Sequence, residues 1–167
     1  GSTEFVLGTS EPVAARSVDV GCVRMTERHV RHDPPSREEV DAIVADVDAA
    51  ISRAAEAVPL AKARTLVGLA GSVTTAAALA LALPEYDSAV IHGSRIPASE
   101  IARVSDELLG LDHDARAALG PMHPGRVDVI NAGVLVLRRI LDRTGLPDVL
   151  VSKHDILDGI AWALAEG

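Results

Sequence analysis

Apolar positions in the first part of the chain come in short valine-bearing runs, Glu4–Leu7, Arg16–Val20 and Val23–Thr26, separated by glycines or a proline. Runs of this kind predict three consecutive strands, antiparallel neighbours because the connections are short. Pro34-Pro35 closes the strand region, and the periodicity then changes. Ser36, with Glu39 three residues on, forms a capping-box signature for a helix start. Val40, Ile43, Val44, Val47, Ile51, Ala54 and Val58 follow at three- and four-residue steps, an apolar stripe that Pro59 ends.

Beyond this helix, strand and helix signals alternate. Thr65–Ala70 reads as a buried strand, and Gly71-Ser72 leads into the helical run Val73–Leu83. Val90–Ile96 fits a strand or an extended loop, and Ser99–Leu109 and Asp112–Leu119 fit two short helices. Arg126–Thr144 is a longer helix with Val127, Ile130, Val134, Leu137, Ile140 and Leu141 on one side and Gly145 as its C-cap. Asp148–Ser152 and Asp155–Ala165 complete the pattern as a strand and a helix. Strands followed by strand–helix alternation predict an α/β domain with a mixed sheet flanked by helices. No low-complexity linker or solenoid-period repeat divides the chain, so one domain is expected.

Composition narrows the function. The 167 residues carry 16 basic and 24 acidic side chains, a net charge of −8, and 48% are apolar, as in a globular protein. An acidic chain with only Phe5, Tyr86 and Trp162 as aromatics offers neither a counterion-displacing surface nor a base-stacking platform, so no nucleic-acid partner is expected. No apolar run approaches the roughly 18 residues that cross a bilayer, and Ala76–Leu83 stops at Pro84. The first ten residues lack the basic start and apolar stretch of a signal peptide. Cys22, the single cysteine, excludes a disulfide framework. The expectation is a soluble, cytoplasmic domain with no membrane partner.

Four segments offer chemistry. In Gly1-Ser2-Thr3-Glu4, small residues let amides approach an anion, two hydroxyls suit phosphate oxygens, and the carboxylate suits magnesium; an initial Gly-Ser is also what a cleaved tag leaves behind. In Gly68-Leu69-Ala70-Gly71-Ser72-Val73-Thr74-Thr75 a strand turns into a hydroxyl-rich helix start, which is either an anion site or a helix capped by Ser72. It lacks the Gly-Lys-Ser/Thr of a Walker loop. In His123-Pro124-Gly125-Arg126-Val127-Asp128, Arg126 either holds a phosphate or pairs structurally with Asp128. In Ser152–Gly159, His154 or Asp155 either faces a ligand or, for the aspartate, caps the last helix. The six histidines are scattered, none paired with a second at metal-ligand spacing on one helix.

Together these segments resemble the exopolyphosphatase / guanosine pentaphosphate phosphohydrolase (Ppx/GppA) family of the actin-like ATPase superfamily. Gly1-Ser2-Thr3-Glu4-Phe5 is similar to the end of that family's Asp-x-Gly-Gly-Gly-Ser-Thr-Glu loop, which opens its second lobe. Val20-Gly21-Cys22-Val23, Gly68-Leu69-Ala70-Gly71-Ser72, Arg126-Val127-Asp128-Val129-Ile130-Asn131-Ala132-Gly133 and Ser152 through Asp158-Gly159-Ile160 match four further segments in order.

The resemblance implies a ribonuclease-H-like lobe over residues 1–167, the C-terminal half of a two-lobed enzyme. The N-terminal lobe, with the glutamate thought to activate water, would be absent, and the isolated lobe inactive. It further implies attack of water on the terminal phosphoryl group of inorganic polyphosphate or guanosine pentaphosphate. Gly1, Ser2, Thr3, Gly71, Ser72 and Arg126 would contact phosphate, and Glu4 would hold Mg2+. Scattered basic residues favour short chains or a nucleotide over a long polyphosphate track. The expected partners are the substrate, the N-terminal lobe and a second copy in a homodimer. A non-catalytic phosphate-binding or dimerisation module of the same fold is the alternative; a kinase-like lobe would need a Gly-Gly adenosine pocket that is not present.

Overall fold

The computed structural model describes residues 1–166. Strands β1 (Thr3–Gly8) and β2 (Pro12–Val18) form an antiparallel hairpin with Glu4 opposite Ser17 and Phe5 opposite Arg16. Alternation along β1 buries Phe5 and leaves Glu4 and Val6 exposed. The third expected strand is instead helix α1 (Cys22–His29). Cys22, Met25 and His29 recur at helical spacing, and Met25 is completely buried. Four residues of Val23–Thr26 were too few to separate that period from a strand's.

Helix α2 (Arg37–Ala55) follows the sequence closely: the Ser36 hydroxyl accepts from Glu39 N and the Glu39 carboxylate accepts from Ser36 N. Its stripe Ile43, Val47, Ile51 and Ala54 is buried. Next come β3 (Leu66–Gly68), α3 (Gly71–Ala80), the short α4 (Ser88–Ile91) and β4 (Arg95–Pro97). The ambiguous Val90–Ile96 is thus the end of a helical turn followed by a strand. Helices α5 (Ala98–Gly110) and α6 (His113–Ala117) come next, then α7 (Ile130–Thr144), β5 (Asp148–Val151) and α8 (Ile156–Glu166). The long helix starts four residues later than its pattern suggests, because Pro124–Arg126 form a separate 3-10 turn. Gly145 ends it in the left-handed conformation, φ 68°, as expected for a glycine C-cap.

The sheet is mixed but divided. β3 and β5 run parallel, β4 joins β5 antiparallel, and the β1–β2 hairpin forms a separate pair. Helix α7 is the spine between two apolar clusters. Ile130, Val134, Leu137 and Leu141 pack with α3, α5 and the β5 valines. Ala132, Leu135, Val136 and Ile140 pack with Phe5, Met25 and the α2 stripe. Every residue from Ile130 to Leu137 is buried, as a helix that starts in the middle of such a core requires, and the charged Arg138, Arg139, Asp142 and Arg143 mark where it emerges. β3 departs from the buried strand expected of Thr65–Ala70, since Val67 is exposed beside the division in the sheet. No helix among the described residues is long and apolar enough to cross a membrane.

Candidate functional site

Glycines bring four segments together at one end of α7. At the start of β1, Gly1 and Ser2 lie against Gly21: a Cβ on Gly21 would come within 3.0 Å of the Gly1 carbonyl carbon and 3.1 Å of Ser2 N. Gly21 leads directly into α1. Cys22 then packs on Gly133 of α7, where an added Cβ would stand 3.0 Å from Cys22 Cβ. The Ser72 hydroxyl fills the same spot, where that Cβ would stand only 2.3 Å from it. At Gly71, any Cβ would coincide with the Arg126 guanidinium. Arg126 therefore lies flat on the turn between β3 and α3, where it supplies the cation of the site.

The turn itself is strained. Ala70, immediately before Gly71, has φ 70° and ψ 174°, a region that L-residues rarely occupy. It stands between the end of β3 at Gly68 and the first residue of α3 at Gly71. Helices α1, α3, α5 and α7 begin without a side-chain cap, whereas Ser36, Asp87 and Asp112 cap α2, α4 and α6; of the four, α1 and α3 start at the glycine contacts. Uncapped first-turn N–H groups and the positive end of the helix dipole suit an anion. Ser72 is not the cap of α3: the helix starts one residue earlier, at Gly71, and the Ser72 side chain turns to α7.

Gly1, Ser2, Gly71, Ser72 and Arg126 are thus linked by one chain of contacts. Thr3 adjoins it, but its hydroxyl donates to the Val20 carbonyl at 2.7 Å and tethers β1 to the approach to α1. Arg24 Nε donates to the Gly1 carbonyl at 3.0 Å. Glu4 lies elsewhere. Strand alternation puts it on the face opposite Thr3 and Phe5, where its carboxylate accepts from Ser17 at 3.0 Å. Among the described residues no three His, Cys, Asp or Glu side chains cluster as a metal cage.

Arg126 makes no ion pair with Asp128 among the described residues; Asp128 lies 3.5 Å from His113 instead. Arg126 is supported from behind by Arg116, which is 2% exposed. Arg116 donates through Nε to the Val127 carbonyl at 3.0 Å and through Nη1 to the Leu111 carbonyl at 2.5 Å, and it pairs with Asp33 at 2.7 Å. Burial pushes the Asp33 carboxyl up, but hydrogen bonds from Arg116 and the His113 amide outweigh it and hold the group below its ordinary range.

In the fourth sequence candidate, Asp155 accepts from Leu157 N and Asp158 from Asp155 N, a capping arrangement. His154 stacks edge-on with His92 and against Trp162, while Ser152 N donates to the Gly68 carbonyl at 2.8 Å. Gly21, Cys22 and Gly133 belong to the contact chain although they are not among the expected site residues. They do stand inside the quoted motif segments, where small residues beside the hydroxyl and glycine turns are the available signal.

The chain has an α/β fold of the actin-like ATPase type, with the uncapped starts of α1 and α3 brought near one end of the central helix α7 and the Arg126 guanidinium seated on the turn into α3. Residues 1–161 match the model of the Ppx/GppA phosphatase family, and the chain belongs to that family. It is 49% identical over 169 residues to exopolyphosphatase 2 of Mycobacterium tuberculosis, covering 99% of this chain and 53% of that protein. Among solved structures, an exopolyphosphatase-like protein superposes with a TM-score of 0.96 at 37% identity, covering 99% of this chain and 57% of that one. The Aquifex aeolicus Ppx/GppA family member superposes with a TM-score of 0.85 at 27% identity, over all of this chain and 54% of its own. The chain spans about half the length of the relatives it matches.

Proposed function

We propose that this chain is the second lobe of a phosphohydrolase that removes terminal orthophosphate from inorganic polyphosphate or guanosine pentaphosphate. The observation that carries the reading is the seat of Arg126 on Gly71, beside the open amides of α3. In this reading α1 and α3 direct their first-turn N–H groups at phosphate oxygens, with Ser2 adding a hydroxyl donor, while Ser72, whose side chain packs on Gly133, supports the turn from the α7 side. Arg126 neutralises charge on the terminal group, and Ala70 holds the turn in the conformation that presents those amides. Water bonds to the terminal phosphorus as the anhydride P–O bond breaks, leaving orthophosphate and a chain shorter by one unit. The water-activating glutamate and the opposing phosphate contacts come from a first lobe, as the twofold length of the relatives suggests.

Glu4 suits a hydrated magnesium ion better than a fully protein-held one. Its carboxylate is exposed, Ser17 donates to one oxygen, and among the described residues no group of three His, Cys, Asp or Glu side chains forms around it. Magnesium usually keeps several waters and takes one or two carboxylates together with substrate phosphate. Because Glu4 stands on the strand face opposite Thr3, outside the glycine contacts, no step of the reaction is routed through the ion.

Titration calorimetry with tripolyphosphate, with and without magnesium, tests the binding half of this reading. Arg126→Ala is expected to weaken binding tenfold or more, about 1.4 kcal/mol at the tenfold limit. The isolated chain is expected to release no orthophosphate, and mixing it with the first lobe to restore release. Unchanged tripolyphosphate affinity in Arg126→Ala would remove the basis for the site.

A further inference from the structure

Among the described residues, Arg116 is the only charged side chain that the fold buries. Taking a guanidinium out of water is costly, and a carboxylate as exposed as Asp33 offsets little of that cost. Apolar side chains of the same volume often stabilise a core as well or better. What the guanidinium supplies instead is fixed geometry. Its donors leave a planar fork in set directions, and here they reach oxygens of three separate segments.

Those segments belong to a circuit that passes through the phosphate site. Val127 follows Arg126 directly. Its side chain is buried in the core and its carbonyl accepts from Arg116 Nε at 3.0 Å, so the chain leaving Arg126 is pinned twice. The turn before it has little such support, since His123, Pro124 and Gly125 are exposed. Asp33 lies four residues past the end of α1 and accepts from Arg116 Nη1 at 2.7 Å and from the His113 amide at 2.6 Å. α1 begins at the glycine contacts, where Cys22 packs on Gly133 beside Ser72, and Ser72 follows Gly71, on which Arg126 lies. The circuit runs from Arg126 to Gly71, across Gly133 to the start of α1, along α1 to Asp33, and back through Arg116 to Val127.

We infer that Arg116 is a positioning residue of the phosphate site: it closes this circuit and so sets the place of the Arg126 guanidinium relative to the first amides of α1, a role that rests on Arg126 binding phosphate as proposed. Arg116 does not meet the ligand. Its contribution is preorganisation, because a guanidinium already held in place loses less freedom when the anion arrives. A misplacement of about 1 Å is enough to disable a positioned group. Lysine at 116 would keep the charge, but a single ammonium on a flexible stem cannot hold the Val127 carbonyl, the Leu111 carbonyl and Asp33 in the directions the fork does.

Titration calorimetry with inorganic tripolyphosphate on the full chain, arranged as double-mutant cycles with denaturant midpoints for every variant, tests this. Arg116→Lys removes the fork, and Asp33→Asn weakens the link from the exposed side while leaving the arginine in place. Each is expected to lower affinity at least about fivefold, within the range of couplings inside one bonded network. In an Arg126→Ala background each is expected to change affinity by less than about twofold, because the group they position is gone. If Arg116→Lys does not fold, the Asp33→Asn cycle decides alone. Equal losses with and without Arg126 would show that Arg116 serves the fold at large, and would overturn the inference. If Arg126→Ala loses affinity while Arg116→Lys and Asp33→Asn do not, the phosphate reading stands and the positioning role falls. If Arg126→Ala binds normally, both fall.

Discussion

At the residue scale, Gly71 and Arg126 behave as one unit, because the guanidinium occupies the space a side chain at 71 would need. Gly71→Ala should therefore mimic Arg126→Ala: each should lose tripolyphosphate affinity, and the double variant should lose little more than either alone, the non-additivity expected of groups in contact. Calorimetry on the three variants checks this; strictly additive losses would mean that the two act separately. Ala70 makes an opposite prediction. Its backbone, at φ 70° and ψ 174°, costs about 1–3 kcal/mol for a residue with a Cβ. Ala70→Gly should thus raise unfolding stability by about 1 kcal/mol after the extra chain entropy of glycine is subtracted. The same change should weaken phosphate binding by freeing the turn. Urea unfolding and calorimetry on the one variant read both effects.

Between elements, polar ties join what the apolar clusters leave separate. Arg116 links the loop at Asp33, the end of α5 and the turn that carries Arg126 through three oxygen acceptors, and all but 2% of it is buried. Arg116→Met would leave the buried Val127 carbonyl and the half-buried Leu111 carbonyl without their partner, while Asp33, 41% exposed, keeps water and the His113 amide. It should cost about 2–3 kcal/mol, a sizeable part of the stability of a domain this size; denaturant midpoints measure it. Asp46 ties α1 to α2 by accepting from Arg28 and from His29 at 3.0 Å. Burial pushes its carboxyl up, but the His29 and Arg28 hydrogen bonds prevail and hold it below the ordinary range. A carboxyl so lowered adds stability that is whole above the unfolded value near 4 and is lost as pH falls through the folded value. Stability should then be level from about pH 7 to 5 and decline below about 4. Asp46→Asn should lower the level portion and flatten the decline; an unchanged acid limb in that variant would separate Asp46 from the effect.

These ties also mark what the sequence can and cannot express. α2 is legible because Ser36, Glu39 and the stripe to Ala54 are all local signals, and each has the role its spacing suggests. α1 is not, because Val23–Thr26 is shorter than the window that separates the two periods, and its burial is decided by α2 and α7. The site follows the same division. Gly71, Ser72 and Arg126 are visible as turn and charge signals, but the seat of Arg126 on Gly71 and of Ser72 on Gly133 depends on packing 55 and 61 residues apart in the chain. Glu4 is placed by strand alternation on the face opposite Thr3, which a list of phosphate-loop residues does not encode.

At the scale of the whole molecule, charge and exposed apolar surface act against one another. The net charge of −8 makes copies of the chain repel at low ionic strength. Helix α8 nevertheless exposes Ile156, Leu157, Ile160, Trp162 and Leu164, with Ile156 at 75% and Leu164 at 79%. So much large apolar surface on one helix is unusual for a monomer and is the kind that partners cover. We propose that the isolated chain self-associates through α8, and the two opposing terms give that proposal a specific signature. Sedimentation velocity should show a dimer that grows with protein concentration and also with salt, since screening weakens the repulsion while apolar burial is retained. Association through ion pairs would show the reverse salt dependence. Leu157→Glu should abolish the dimer without moving the denaturant midpoint by more than about 0.5 kcal/mol, because Leu157 is 71% exposed. A monomer at high concentration and high salt would sink the proposal, and a dimer that survives Leu157→Glu would place the contact elsewhere.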